Sequence, residues 1–174
     1  VIESDQSISI SILFSQQHFL NLQLALKMFN YLYNFLLILF LPLMLLRLYL
    51  RGARVPGYRQ RIGERFGRFN PPAEFNKHEK SIWIHAVSVG ETVAAEPLVR
   101  LISETYPKTQ LLITSTTPAG SDRVKDLFGN SVLHSYLPYD LSVLVNCFLN
   151  RVNPCLLIVM ETELWPNLIY QCRK

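Results

Sequence analysis

Charge is scarce in this sequence. Of 174 residues, 17% are charged, against about a quarter in an ordinary soluble domain. Cysteine offers little: Cys147, Cys155 and Cys172 are odd in number and lack C-x-x-C spacing. That argues against a disulfide framework or zinc site and favours a reducing compartment for their segment. There is no G-x-G-x-x-G, and no glycine-rich loop ending in Gly-Lys-Ser or Gly-Lys-Thr, so a nucleotide phosphate site is not supported in this stretch. No His/Cys/Asp cluster has metal-ligand spacing, so neither metal nor cofactor is expected. The first residues also lack the basic start and small-residue cleavage site of a secretory signal.

What charge there is lies in one place. From Arg51 to Arg68 six arginines face one glutamate, a local +5, leaving −1 for the rest of a chain whose total is +4. The basicity therefore belongs to a patch, and no nucleic-acid partner is expected. Directly before it, Tyr31–Leu50 is apolar apart from Asn34 and Arg47, about twenty residues and long enough to cross a hydrocarbon core as a helix. Arg47 can snorkel, and Tyr31, Tyr33 and Tyr49 sit where aromatic belts form. Pro42 would kink such a helix. A membrane anchor is the expectation for 28–50; a buried core helix or a monotopic insertion is the alternative. Residues 1–27 carry no usable motif and are expected to be an extension ahead of a start at Met28. Residues 51–80 read as a basic juxtamembrane segment and linker, broken at Asn70-Pro71-Pro72 and polar from Ala73 to Lys80. Its arginines either set topology or hold an anionic lipid, and Arg59, Arg61 and Arg65 could share a helix face.

From Ser81 the pattern turns regular. Strands are expected at Ile82–Val87, Gln110–Thr114, Val132–Leu137 and Cys155–Met160. Helices are expected at Glu91–Thr105, Ala119–Phe128, from an Asp140 cap to about Val152, and from Leu164 onward. This alternation indicates βαβ units and a parallel sheet, and strands so apolar should be covered on both faces. Pro97 inside the first of these helices requires a late first turn or a bend. Four such units make an incomplete open sheet, so the chain is expected to be the truncated N-terminal part of a larger protein.

Chemistry collects at strand ends. Ser88-Val89-Gly90-Glu91 is a small-residue turn that delivers a carboxylate to a helix N-terminus, where it either suits the dipole or serves as a general base. Gly90 lets a ligand approach the backbone. After the fourth strand, Met160-Glu161-Thr162-Glu163-Leu164-Trp165-Pro166 brings two acids, which either cap the next helix or enter a cleft. In a doubly wound sheet the first and fourth strands adjoin across the switch-point crevice, which would set Glu91 opposite Glu161 and Glu163. The hydroxyls of Thr114-Ser115-Thr116-Thr117 either line that cleft or cap a helix. His85 and His134, within strands, read as core residues.

At these residues the sequence resembles a family. IWIHAVSVGET, TSTTPAGSDRV, YLPYDL and METELWPNLI, with GYRQRIGERFG and the apolar segment before it, look like the N-terminal half of the bacterial Kdo transferases. These glycosyltransferases move 3-deoxy-D-manno-octulosonic acid (Kdo) from CMP-Kdo onto a lipid A precursor. The resemblance runs from about Met28 to the chain end. It implies an α/β fold, the N-terminal Rossmann-like lobe of an inverting, metal-independent GT-B glycosyltransferase, preceded by a membrane-anchor helix. Glu91 matches the catalytic base, Glu163 a second acid of the site, and Ser88 and Gly90 the turn beside it. Arg59, Arg61 and Arg65 would meet acceptor phosphates or the anionic membrane surface. The 81–174 lobe would face the cytoplasm at the bacterial inner membrane, with the donor-binding C-terminal lobe absent. A membrane-anchored lobe that binds without catalysis is the alternative.

Overall fold

The protein is described by a computed structural model, covering residues 2–72, 75–76, 78–161 and 163–173, with side-chain surroundings from residue 20 onward. It divides into two units, Val1–Phe40 and Leu41–Lys174. One helix, α1 (Ile2–Arg54), supplies the secondary structure of the first and opens the second. It passes Met28 and Pro42 without a break; Leu and other straight-chain residues favour helix on either side, and a proline forfeits one ladder bond. Its Leu20–Arg54 portion is long and apolar enough to cross a membrane, by length and composition.

The rest of the second unit is a parallel sheet. Its strands are β1 (Ser81–His85), β2 (Gln110–Ser115), β3 (Leu133–Tyr136) and β4 (Pro154–Val159), in the order β3-β2-β1-β4. Between them run α2 (Val89–Thr105), α3 (Pro118–Phe128) and α4 (Ser142–Val152), and α5 (Pro166–Cys172) follows. The chain steps outward from β1 to β3, then crosses back to lay β4 on the other side of β1. Alternation along the strands makes two cores. Ile82 and Ile84 pair in register with Leu111 and Ile113 and pack on Val99 of α2 and Val124 of α3. Trp83 and Leu112 face the opposite layer, against Phe148 of α4 and Leu168 of α5. Every residue of β1 is buried, as a central strand covered on both faces requires.

The helices start on local signals. Ser88 and Thr117 accept the N–H groups of Glu91 and Gly120, at 3.3 and 3.1 Å, the side-chain caps their residue types favour. Pro97 neither delays nor ends α2: the bond it cannot make falls on Val93, on the exposed face of the helix, where losing one ladder bond is least costly. Asp140 corrects an expectation. The N-cap of α4 is Leu141, without a side-chain bond, and the Asp140 carboxylate turns to α5.

The segment expected to be a juxtamembrane stretch and linker is built into the lobe. It forms two short 3-10 helices, Pro56–Arg59 and Ile62–Phe66, with Arg61 between them in the left-handed region at φ 53°. Arg59, Arg61 and Arg65 therefore do not share one helix face. Gly57 lies against Pro118 at the start of α3, where a Cβ would come within 2.8 Å of the proline ring. Gly67, at φ 72°, backs onto Leu144, and a Cβ there would strike the Leu144 carbonyl. Phe69 and Phe75 are buried, and the Asn76 N–H donates to Gln110 Oε1 at 2.8 Å. Apolar and hydrogen-bonding partners on the sheet thus hold a stretch whose polarity alone suggests solvent. Ala73, Glu74 and Lys77 lie outside the described residues.

Candidate active site

The carboxyl edge of the sheet at β1 and β4 gathers most of the candidate residues. Both neighbours continue past the end of β1: Ala86 N–H donates to Thr114 O, and Met160 N–H to His85 O, each at 2.9 Å. The chain then turns through Val87 and Ser88 into α2. Glu91, in its first turn, is 6% exposed, and its Oε2 accepts the Val87 N–H at 2.7 Å. With Ser88 capping Glu91 N, this is close to a reciprocal capping box. That Ser-x-x-Glu spacing was a readable signal for the folded-back carboxylate. Over Gly90 the surface is open: a Cβ there would meet only Ser88 Oγ, 3.8 Å away.

On the adjoining strand end, Glu161 takes the left-handed conformation at φ 60°, and Glu163 is half-buried; Thr162 lies outside the described residues. Neither acid caps α5, whose N-cap Trp165 provides no side-chain bond. The cap comes from Asp140, which accepts the Asn167 and Leu168 N–H groups at 2.9 and 2.8 Å. Position in the sequence offered no hint of this, since residue 140 stands directly before another helix.

The third strand end is β2. Thr116 donates through both N and Oγ1 to Val87 O, at 3.4 Å each, and ties this loop to the Glu91 turn. Thr117 caps α3. Arg65 reaches in from the basic segment: it is 5% exposed, donates from Nη2 to Thr116 O at 3.0 Å, and lies 4.2 Å from the Tyr136 ring centre. Its buried Nε has no partner among the described residues. Burial lowers its pKa, opposed by Tyr139, Tyr136, Tyr58 and Glu64.

The other two arginines lie elsewhere. Arg61 pairs with Glu64 at 2.7 Å and donates to His134 O at 2.8 Å. Arg59 is exposed, stacked 4.0 Å over the Tyr49 ring, and donates to Tyr49 O near the end of α1 at 3.1 Å. Only Arg65 touches the loops around Glu91.

His85 and His134 are structural. His85 is fully buried, with Nδ1 2.9 Å from Thr114 Oγ1, which also accepts the Trp83 indole N–H at 2.8 Å. Burial lowers its pKa to about 4, against the Thr114 backbone and Glu91. His134 is lowered to about 3 by burial, then by Arg61 and Lys125. Arg61 Nη1 lies 3.1 Å from His134 Nδ1 and has only protons to offer, so Nδ1 accepts and Nε2–H points to Ser115 Oγ, at 2.9 Å.

A cavity of about 800 Å³ opens elsewhere, between Phe69, Phe75, Val132 and His134, and neither Glu91 nor Glu163 lines it. The crevice between β1 and β4, where the strand order reverses, is the place where open α/β sheets bind ligands. It is the better candidate, because the acids are there.

The family described as 3-Deoxy-D-manno-octulosonic-acid transferase (kdotransferase) matches residues 60–174. The chain belongs to the Kdo transferase family. It is 47% identical over 148 residues to the 3-deoxy-D-manno-octulosonic acid transferase of Haemophilus influenzae, covering 83% of this chain and 33% of that protein. To a probable mitochondrial 3-deoxy-D-manno-octulosonic acid transferase of Arabidopsis thaliana it is 37% identical, covering 72% of this chain and 28% of the other. To the Bordetella pertussis transferase it is 36% identical, over 76% of this chain and 32% of the relative. The chain spans about a third of the length of these relatives. The sheet just described is accordingly the Rossmann-like N-terminal lobe of a GT-B Kdo transferase.

Proposed function

We propose that this chain forms the acceptor-side lobe of an inverting, metal-independent transferase that moves Kdo from CMP-Kdo onto a lipid A precursor. The observation that carries the reading is the placement of Glu91 at the end of β1, beside the strand end that bears Glu161 and Glu163. In the proposed step the acceptor hydroxyl oxygen attacks the anomeric carbon of Kdo while its proton passes to Glu91. The bond from that carbon to the phosphate oxygen breaks, and CMP leaves with the electron pair. Glu163 orients the acceptor from the facing loop, and Ser88 and Gly90 form the open turn beneath it.

The geometry of the basic segment supports delivery of a lipid acceptor. Gly57 against Pro118 joins the end of α1 to the same sheet edge that carries Thr116 and the Glu91 turn. Arg51, Arg54 and Arg59 are exposed there, suited to anionic head groups, and Arg65 is bonded to the Thr116 carbonyl. In this reading α1 is a single anchor in the bacterial inner membrane with the lobe on the cytoplasmic face, a topology that the basic residues following the span favour.

A non-catalytic binding lobe is favoured by one feature, the engagement of Glu91 in its own turn. The experiment separates the two. A full-length transferase carrying this lobe is assayed with CMP-Kdo and a lipid A precursor, wild type beside Glu91→Gln. Glutamine still accepts the Val87 N–H but takes up no proton, so turnover should fall by about 10² or more at unchanged melting temperature. Full-rate turnover in that variant, or none in the wild type, overturns the transferase reading.

A further inference from the structure

The loop after β4 is held at both ends, and the second hold comes from outside it. At its start, the Met160–His85 main-chain bond continues β4 along β1. At its end, Pro166 opens α5 behind an N-cap, Trp165, whose side chain caps nothing. A serine, threonine or aspartate at that position would have capped the helix locally. Instead, Asp140, from the turn after β3, places its two carboxylate oxygens on the N–H groups of Asn167 and Leu168, at 2.9 and 2.8 Å. Asn167 answers from its side chain: Nδ2 donates to the Asp140 main-chain carbonyl, and Oδ1 accepts from Ser142 Oγ at 2.8 Å. Asp140 is 3% exposed and Asn167 fully buried, so water does not replace these bonds when one is lost.

We propose that Asp140 and Asn167 are positioning residues that set Glu163 at the crevice beside Glu91. The inference rests on the transferase reading above. Glu163 lies three residues after one clamp and four before the other. A carboxylate that must meet one acceptor hydroxyl gains from such a fixed frame, because small misplacements of a reacting group are costly in rate. A cap supplied by α5 itself would stabilise that helix equally well. It would leave the loop free to move with α5 relative to β3.

The test is a double-mutant cycle in the full-length enzyme, with CMP-Kdo and a lipid A precursor as substrates. Asp140→Asn keeps the size of the side chain but turns an amide N–H toward one of the two backbone donors. It should lower kcat by about tenfold while Glu163 is present, and by no more than about twofold once Glu163→Gln has been made. Equal losses in both backgrounds mean a structural role alone and overturn the proposal, as does an unchanged rate. Should Asp140→Asn fail to fold, Ser142→Ala carries the same cycle through the milder loss of one bond to Asn167. It is expected to slow the Glu163 enzyme by about two- to fivefold and to leave Glu163→Gln unchanged. The two failures look different. A wild-type enzyme that does not turn over sinks the transferase reading and this proposal with it. Turnover that Glu163→Gln leaves at full rate sinks the positioning role alone.

Discussion

The Glu64 carboxylate accepts the main-chain N–H of Tyr136 at 2.8 Å. Its ion-pair partner Arg61 donates to the carbonyl of His134 at 2.8 Å, so the pair brackets Ser135 on the outer edge of β3. In a parallel ladder these are the two groups that one residue of a further strand would engage. A guanidinium and a carboxylate thus take the place of a strand and leave the edge unavailable for sheet-to-sheet association.

Glu64→Ala should therefore do more than remove a surface charge pair. It strips the Tyr136 N–H of its acceptor and leaves Arg61 unpaired against His134, at a cost of about 2 kcal/mol. Glu64→Gln, which retains an acceptor, should cost less. Urea unfolding in detergent reads both, and equal midpoints for Glu64→Ala and wild type would show that the edge is not held this way.

His85, buried, and His134, half-buried, make the fold sensitive to acid. Each is held neutral below the ordinary histidine range, at about 4 for His85 and about 3 for His134. The unfolded chain binds these protons below about pH 6.5 and the folded one does not, so stability rises with pH across that window and is lost as pH falls through it. At pH 5 each contributes a loss of about 2 kcal/mol. The melting temperature should drop between pH 7 and pH 5, and His134→Gln should flatten the drop. A pH-independent melting temperature in that range contradicts the assignment.

Membrane attachment should divide the arginines into two groups. Arg51 and Arg54 are exposed at the end of α1, and each should contribute on the order of 1 kcal/mol of attraction to anionic lipid near the surface. Replacing both with glutamine should weaken co-flotation with anionic vesicles, as should raising the salt. Arg61→Gln should leave flotation unchanged while lowering stability, because that side chain is committed to Glu64 and His134. Salt-independent flotation of every variant would mean that the apolar helix alone carries attachment.

The alternation of strands and helices was readable because each element carries its own short-range signal: β-branched and aromatic runs for the strands, Ser88 and Thr117 for two helix starts. The turn that presents Glu91 was readable for the same reason. The arginines were not. Arg59, Arg61 and Arg65 are the same residue at similar spacing, yet one stacks on a tyrosine, one closes a sheet edge and one is buried beside Thr116. Asp140 misled in the same way, standing before α4 and capping α5.

By itself, then, the sequence determined the βα repeat, the long apolar helix and the carboxylate at the start of α2, since these depend on windows of a few residues. The order that lays β4 against β1 is the one a doubly wound sheet implies, while tertiary structure alone decided which distant groups each charged side chain meets. Polar side chains in a lobe must find partners as water is removed, and which partners are within reach is settled only when the layers have packed.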